Sequence, residues 1–229
     1  RVLFRSSGLF GVASTSFTLA AIPELSAISL LQAIGLGIVF GALASLFCRA
    51  MHIGGTLYKK IENPYLRIVV GGCIVALLSL LVRSGDYNGA GMSVISAALA
   101  GHAVPWAFAL KIVFTVLTLG AGFKGGEIVP CFFVGATCGC VVAPLLGMDA
   151  GFGAALGLIA VFCGVTNSPM TSILLGYELF GGQGLALLAM CAAVSYLLSG
   201  YSGLYREQKI IYSKTSPVFI GRKGGEEKQ

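Results

Sequence analysis

The chain has 229 residues, 56% of them hydrophobic and 10% charged, with a formal net charge of +6 and a mean hydropathy of +0.90. A soluble domain carries about 25% charged residues, so this composition excludes water as the surrounding of most of the surface and points to a bilayer. Thirty-three glycines agree with that, because membrane helices use small residues to approach one another closely.

The chain opens at Arg1 with no legible signal peptide, and the apolar stretch that follows reads as ordinary membrane helix, as in a sequence that begins mid-protein. Ala27–Cys48 and Leu66–Val82 are apolar runs of spanning or near-spanning length, given about 20 residues per crossing. Between them, Met51–Tyr65 reads as a polar, basic connector closed by Asn63-Pro64. Arg83–Gly89 breaks the helical pattern, Met92–Ala100 is too short to cross, and Pro105–Leu119 is helical again and carries Lys111. A Gly-rich break at Gly120–Pro130 leads into Cys131–Leu146, then the short, Gly-rich Ala150–Val165. Asn167-Ser168-Pro169 precedes Met170–Phe180, and Gly181–Gly184 separates it from Leu185–Leu198. A last helix is expected over Gly203–Tyr212, with a polar cytoplasmic tail at Ser213–Gln229.

The pattern predicts an all-α polytopic membrane protein of about nine or ten helices, several shorter than a bilayer is thick. Residues 1–212 form the membrane domain and 213–229 the tail. Short helices broken by Gly and Pro are tolerated only where their ends are buried in protein or line a cavity, and they mark the substrate site of a transporter. Basic residues flank the Met51–Tyr65 connector (Arg49, Lys59, Lys60, Arg67) and crowd the C-terminal end. The positive-inside bias places both on the cytoplasmic side. Topology therefore accounts for the charge, and no nucleic-acid partner is expected.

The loop Gly120–Pro130 carries the chemistry. Pro130 suits the first turn of a helix, where its missing N–H has no helical partner. The N–H groups around Glu127, Ile128 and Val129 are then free to face a ligand, and at a helix N-terminus that ligand is an anion. A capped helix joined by a flexible loop is the alternative. Glu127 is an acid at membrane depth, which is costly and by default functional. As a carboxylate it repels a halide; protonated, it donates to one. A static pair with Lys124 or Lys111 is the competing reading. Lys111 could instead reach an interface along its stem, and Glu178 reads as a structural pair or helix-end contact.

Seven cysteines form no C-x-x-C pair and read as small buried hydrophobes. His52 and His102 are solitary, lie at helix ends and lack ligand spacing, so no metal or other cofactor is expected. A membrane-embedded enzyme would need clustered acids, a paired His, or Ser and Lys in register; no such constellation is legible, and no catalytic residue is assigned.

Gly126-Glu127-Ile128-Val129-Pro130 resembles the G-x-F-x-P anion-filter motif of the CLC chloride channel and transporter family. The wider string Gly122-Phe123-Lys124-Gly125-Gly126-Glu127 is similar to the G-G-E loop of the family's bacterial fluoride/proton branch. Ile128 stands where the family usually has Phe, a position that acts through its backbone N–H. Val129 stands where the fluoride branch often has Thr. Tyr87–Gly91 resembles the Gly-rich lead into a short family helix, Thr166–Thr171 and Leu175–Glu178 the family's later break and its acid-bearing helix, and Gly203-Leu204-Tyr205 the start of its final helix, whose tyrosine hydroxyl meets the central anion.

The resemblance implies the C-terminal half of the CLC inverted-repeat fold, with broken and re-entrant helices and an anion site at Gly126, Glu127, Ile128, Val129 and Tyr205. Glu127 would also couple protons. Halide/proton antiport of chloride or fluoride is implied, with passive chloride conduction or an unrelated secondary transporter as alternatives. The implied partners are halide ions, protons, membrane lipid and a second identical subunit, in a bacterial inner membrane. The family's gating glutamate and the rest of its filter are expected in a preceding half.

Overall fold

A computed structural model describes residues 16–19, 21–205, 208–214 and 219–223. Its membrane region is helical throughout. Helix α1 (Ala27–Tyr58) begins with a capping box, in which Ser26 and Ser29 bond reciprocally. It runs 32 residues, about 48 Å at 1.5 Å per residue, longer than a hydrocarbon core. The expected boundary at Cys48 is therefore too early. Met51–Tyr58 continues the helix because Gly54 lets it press against α4 (Ala107–Gly120); a Cβ there would strike Val116.

Helix α2 (Pro64–Val82) starts where Asn63 accepts N–H bonds from Tyr65 and Leu66 and Pro64 takes the first turn. Gly71 is its only buried residue, at the point where the helix leans on Ala121, so α2 presents an almost wholly apolar surface outward. Helix α3 (Met92–Leu99) has eight residues, about 12 Å, and cannot cross a bilayer. It starts after Gly91, whose φ of 67° would strain a side chain.

The core is built on the pair α5 (Ile128–Val142) and α6 (Ala150–Thr166). Every residue of α6 except Ala150 is buried. A Cβ at Gly135 or Gly139 would run into the carbonyl oxygens of Gly157 and Gly153, so the two backbones touch where each helix has glycines four apart. At about 26 Å, α6 is shorter than the hydrocarbon core, and its protein neighbours rather than lipid surround it. Asp149 caps it by accepting from Phe152 N at 2.8 Å. Helices α1, α7 (Pro169–Phe180) and α8 (Leu185–Leu198) close around α6, and Ser195 on α8 donates to the Ala160 carbonyl at 2.7 Å.

Eight α-helices and one 3-10 turn (Ala143–Leu146) are present among the described residues, below the nine or ten expected. The first expected apolar stretch falls largely outside those residues. The last expected helix is a correction: Lys209–Tyr212 is a strand, β1, paired antiparallel with β2 (Phe219–Lys223). Ile210 and Ile211 are β-branched neighbours that favour extended backbone, and β2 supplies the partner. The strand pair straddles the expected boundary between the membrane domain, ending at Tyr212, and the tail, starting at Ser213. Of the seven cysteines, all free, six are buried, Cys48 among them, and Cys73 is exposed on α2.

Candidate functional site

Helix α4 ends at Ala121, whose carbonyl accepts from Arg67 Nε on α2 at 3.2 Å. That bond ties down the start of the glycine loop. Gly122 then turns the chain with φ 99°, against the Arg67 guanidinium. The loop ends where Glu127 caps α5 in a helix-like conformation, its side chain making no capping bond to α5. Pro130 lies in the first turn of α5 and is buried. Among the described residues no acceptor takes the N–H groups of Gly126, Glu127, Ile128 or Val129. Four backbone donors therefore sit together at the positive end of a helix.

The loop lines two cavities. One, of about 540 Å³, is walled by Gly125, Gly126, Val129 and Pro130 on one side and by Lys111 and Tyr87–Ala90 on the other. The second, an open cleft of about 330 Å³, holds Glu127 with Met51, His52 and Gly55 of α1, with Lys59 at the C-cap of that helix and with Leu204. Gly126 and Val129 thus face one space and Glu127 the other.

Neither expectation for Lys111 holds. Its side chain is buried on α4 and its Nζ donates to the carbonyls of Gly89 at 2.6 Å and Tyr87 at 3.1 Å, with the Phe133 ring centroid 4.9 Å away. Carbonyl dipoles and a ring face compensate the charge, so it neither reaches an interface nor neutralises Glu127. Glu178 is exposed near the C-terminal end of α7.

Ile128 and Tyr205 are partly open, 38% and 45% exposed. Tyr205 is not part of the cleft wall, but its neighbour Leu204 is, and the Leu204 N–H donates to the Val165 carbonyl at the end of α6. Asn167 Nδ2 donates to the Ser202 carbonyl at 3.1 Å. On the other side His52 holds the Gly203 carbonyl through Nε2 at 2.9 Å. The segment before Tyr205 is therefore pinned between α1 and α6, beside Glu127. Sequence reasoning passed over His52 and Lys59 as cleft residues. The signal was their position on the basic end of α1, seven residues apart and so on one face of a helix.

The model of the family "Voltage gated chloride channel" matches residues 1–200. The chain belongs to the voltage-gated chloride channel family. Within that family it is 36% identical over 212 residues to a chloride/fluoride channel protein of Pseudomonas syringae pv. tomato (strain ATCC BAA-871 / DC3000), covering 90% of this chain and 47% of that protein. It is also similar to the crystal structure of a CLC-type fluoride/proton antiporter, with a TM-score of 0.83 and 32% identity over 87% of this chain and 51% of that one. The CLC fold is thus shared closely, and the chain spans about half the length of the relatives it matches.

Proposed function

We propose that this chain contributes one half of the anion path of a CLC-type halide/proton antiporter that favours fluoride. The observation that carries the reading is the start of α5: the four N–H groups of Gly126–Val129 are unbonded at the positive end of the helix, where Gly126 and Val129 line one cavity and Glu127, free of capping duty, opens to the other. The donors hold a halide. Glu127 holds the proton, since one carboxyl beside one anion site can carry a proton inward only when its charge does not oppose the halide. Tyr205 adds an O–H donor from the segment that closes the cleft. The names of the two relatives and the G-G-E string favour fluoride.

The same reading places the protein in a bacterial inner membrane as a homodimer, each subunit with its own path and with lipid against α2. Residues 1–212 lie in or at the membrane, and the basic tail from Ser213 faces the cytoplasm. No cofactor beyond the bound halide is required.

The full-length gene product, reconstituted in liposomes, tests this. An outward fluoride gradient drives proton movement, with fluoride efflux faster than chloride efflux. Equal efflux of both ions without proton movement would overturn the reading.

A further inference from the structure

The segment that carries Tyr205 is bound on both sides of that residue to one helix end. Helix α6 stops at Thr166, and Asn167 follows it with φ 53°, a left-handed conformation that asparagine tolerates better than most residues. Three successive residues there grip the segment. The Val165 carbonyl accepts from the Leu204 N–H at 3.1 Å, and the Thr166 carbonyl accepts from Gln208 Nε2 at 3.1 Å. Asn167 Nδ2 donates to the Ser202 carbonyl at 3.1 Å. The Gln208 backbone N–H also donates to the Tyr205 carbonyl at 3.1 Å. Ser202, Leu204 and Gln208 are thus tied to the end of α6, with Tyr205 among them.

Lys214 sets the direction of the Asn167 amide. It lies just beyond β1 and is half-buried. Its Nζ donates to Asn167 Oδ1, to the Tyr196 carbonyl at 2.7 Å and to Ser199 Oγ at 3.1 Å, and stands 4.0 Å from the centroid of the Tyr196 ring. An ammonium donates and never accepts, so the amide oxygen faces it and Nδ2 is the end left for Ser202. Tyr196 lies in the last turn of α8 and Ser199 is its C-cap, a helix end whose dipole favours a cation.

We propose that Lys214 and Asn167 are positioning residues for Tyr205. Lys214 orients the Asn167 amide, and that amide, with the last carbonyls of α6, holds the Tyr205 segment beside the Glu127 cleft, where Leu204 forms part of the wall. Both act on the anion only through the Tyr205 hydroxyl. When the hold is lost, that donor shifts away from the halide and affinity falls, while the donors of the glycine loop stay in place.

This inference rests on the role given to Tyr205 in the proposed function, and a double-mutant cycle separates the two. The half-saturating fluoride concentration and the maximal rate of efflux are measured in liposomes for the full-length gene product, Tyr205→Phe, Lys214→Met and the double variant. Tyr205→Phe is expected to raise the half-saturating concentration about fivefold, the effect of one lost O–H donor. Lys214→Met is expected to raise it about threefold, and the double variant to be no worse than Tyr205→Phe alone. If the two effects multiply, or if Lys214→Met leaves half-saturation at the parent's value, Lys214 is a structural contact and the positioning role is overturned. If Tyr205→Phe saturates as the parent does, or the parent passes no fluoride, that part of the proposed function falls and this role with it. Should Lys214→Met not fold, Asn167→Asp replaces it in the cycle. Aspartate keeps the left-handed conformation and an oxygen for Lys214 but has no donor for Ser202. A raised half-saturation that Tyr205→Phe absorbs supports the role, and a parent-like value in Asn167→Asp contradicts it.

Discussion

Glu127 and Lys111 are the two ionisable side chains beside the glycine loop's cavities whose partners could be anticipated as each other, and the fold keeps them apart. Lys111 spends its charge on the Tyr87 and Gly89 carbonyls, whereas Glu127 faces the cleft of His52 and Lys59. Replacing Lys111 by Met therefore strips the buried Tyr87 carbonyl and the more open Gly89 carbonyl of their donor without touching Glu127. The expected cost is on the order of 1–3 kcal/mol, seen as a lower unfolding midpoint in detergent. A midpoint equal to the parent's would show that the contact is dispensable. The sequence alone could not pair Lys111 correctly. A lysine on an apolar helix has many reachable acceptors, and backbone carbonyls carry no sequence signature.

At the scale of elements, the loop was legible and its surroundings were not. Glycines at 120, 122, 125 and 126 followed by Pro130 announce a chain break that opens a helix, which is what α4, the loop and α5 form. His52 and Leu204 meet Glu127 only through tertiary packing, and the His52–Gly203 bond spans 151 positions. No local pattern reports such a contact. The end of α1 was misjudged because its polar, basic composition resembles a connector, while Gly54 packing on Val116 extends the helix. The Gly203–Tyr212 segment differs from the expected helix because Lys209–Tyr212 pairs with β2, a partner that no local pattern announces.

The α5–α6 crossing brings two backbones into contact, and its geometry makes a sharp prediction. Gly157→Ala places a methyl group against the Gly135 carbonyl, where backbone cannot give way as a side chain can. Overpacking of this kind costs about 1–3 kcal/mol. Because α5 carries the unbonded N–H groups at its N-terminus, the shift also reaches the proposed site. Gly157→Ala should lower both the unfolding midpoint and fluoride efflux, whereas Gly85→Ala, with open space around its Cβ and outside both loop cavities, leaves both unchanged. Equal behaviour of the two variants would contradict the close crossing.

For the whole molecule, the composition, the broken helices and the helix-end donors all describe one device. The bilayer forces short helices to end inside protein, and the end of one of them is where the proposed function puts the anion. Membership of the CLC family and the close structural match give that device its setting. The hairpin of β1 and β2 adds a feature that helical reasoning did not foresee, directly after the segment pinned beside Glu127.

The decisive measurement is simultaneous recording of fluoride and proton flux in liposomes for the full-length gene product and its Glu127→Gln variant. Glutamine resembles the protonated acid but cannot release a proton. The parent is expected to move protons against fluoride, with a fluoride flux that rises as pH falls because the neutral carboxyl no longer repels the anion. Glu127→Gln is expected to carry fluoride with no coupled proton movement and no pH dependence. A variant that still moves protons in fixed proportion to fluoride would contradict the role assigned to the loop.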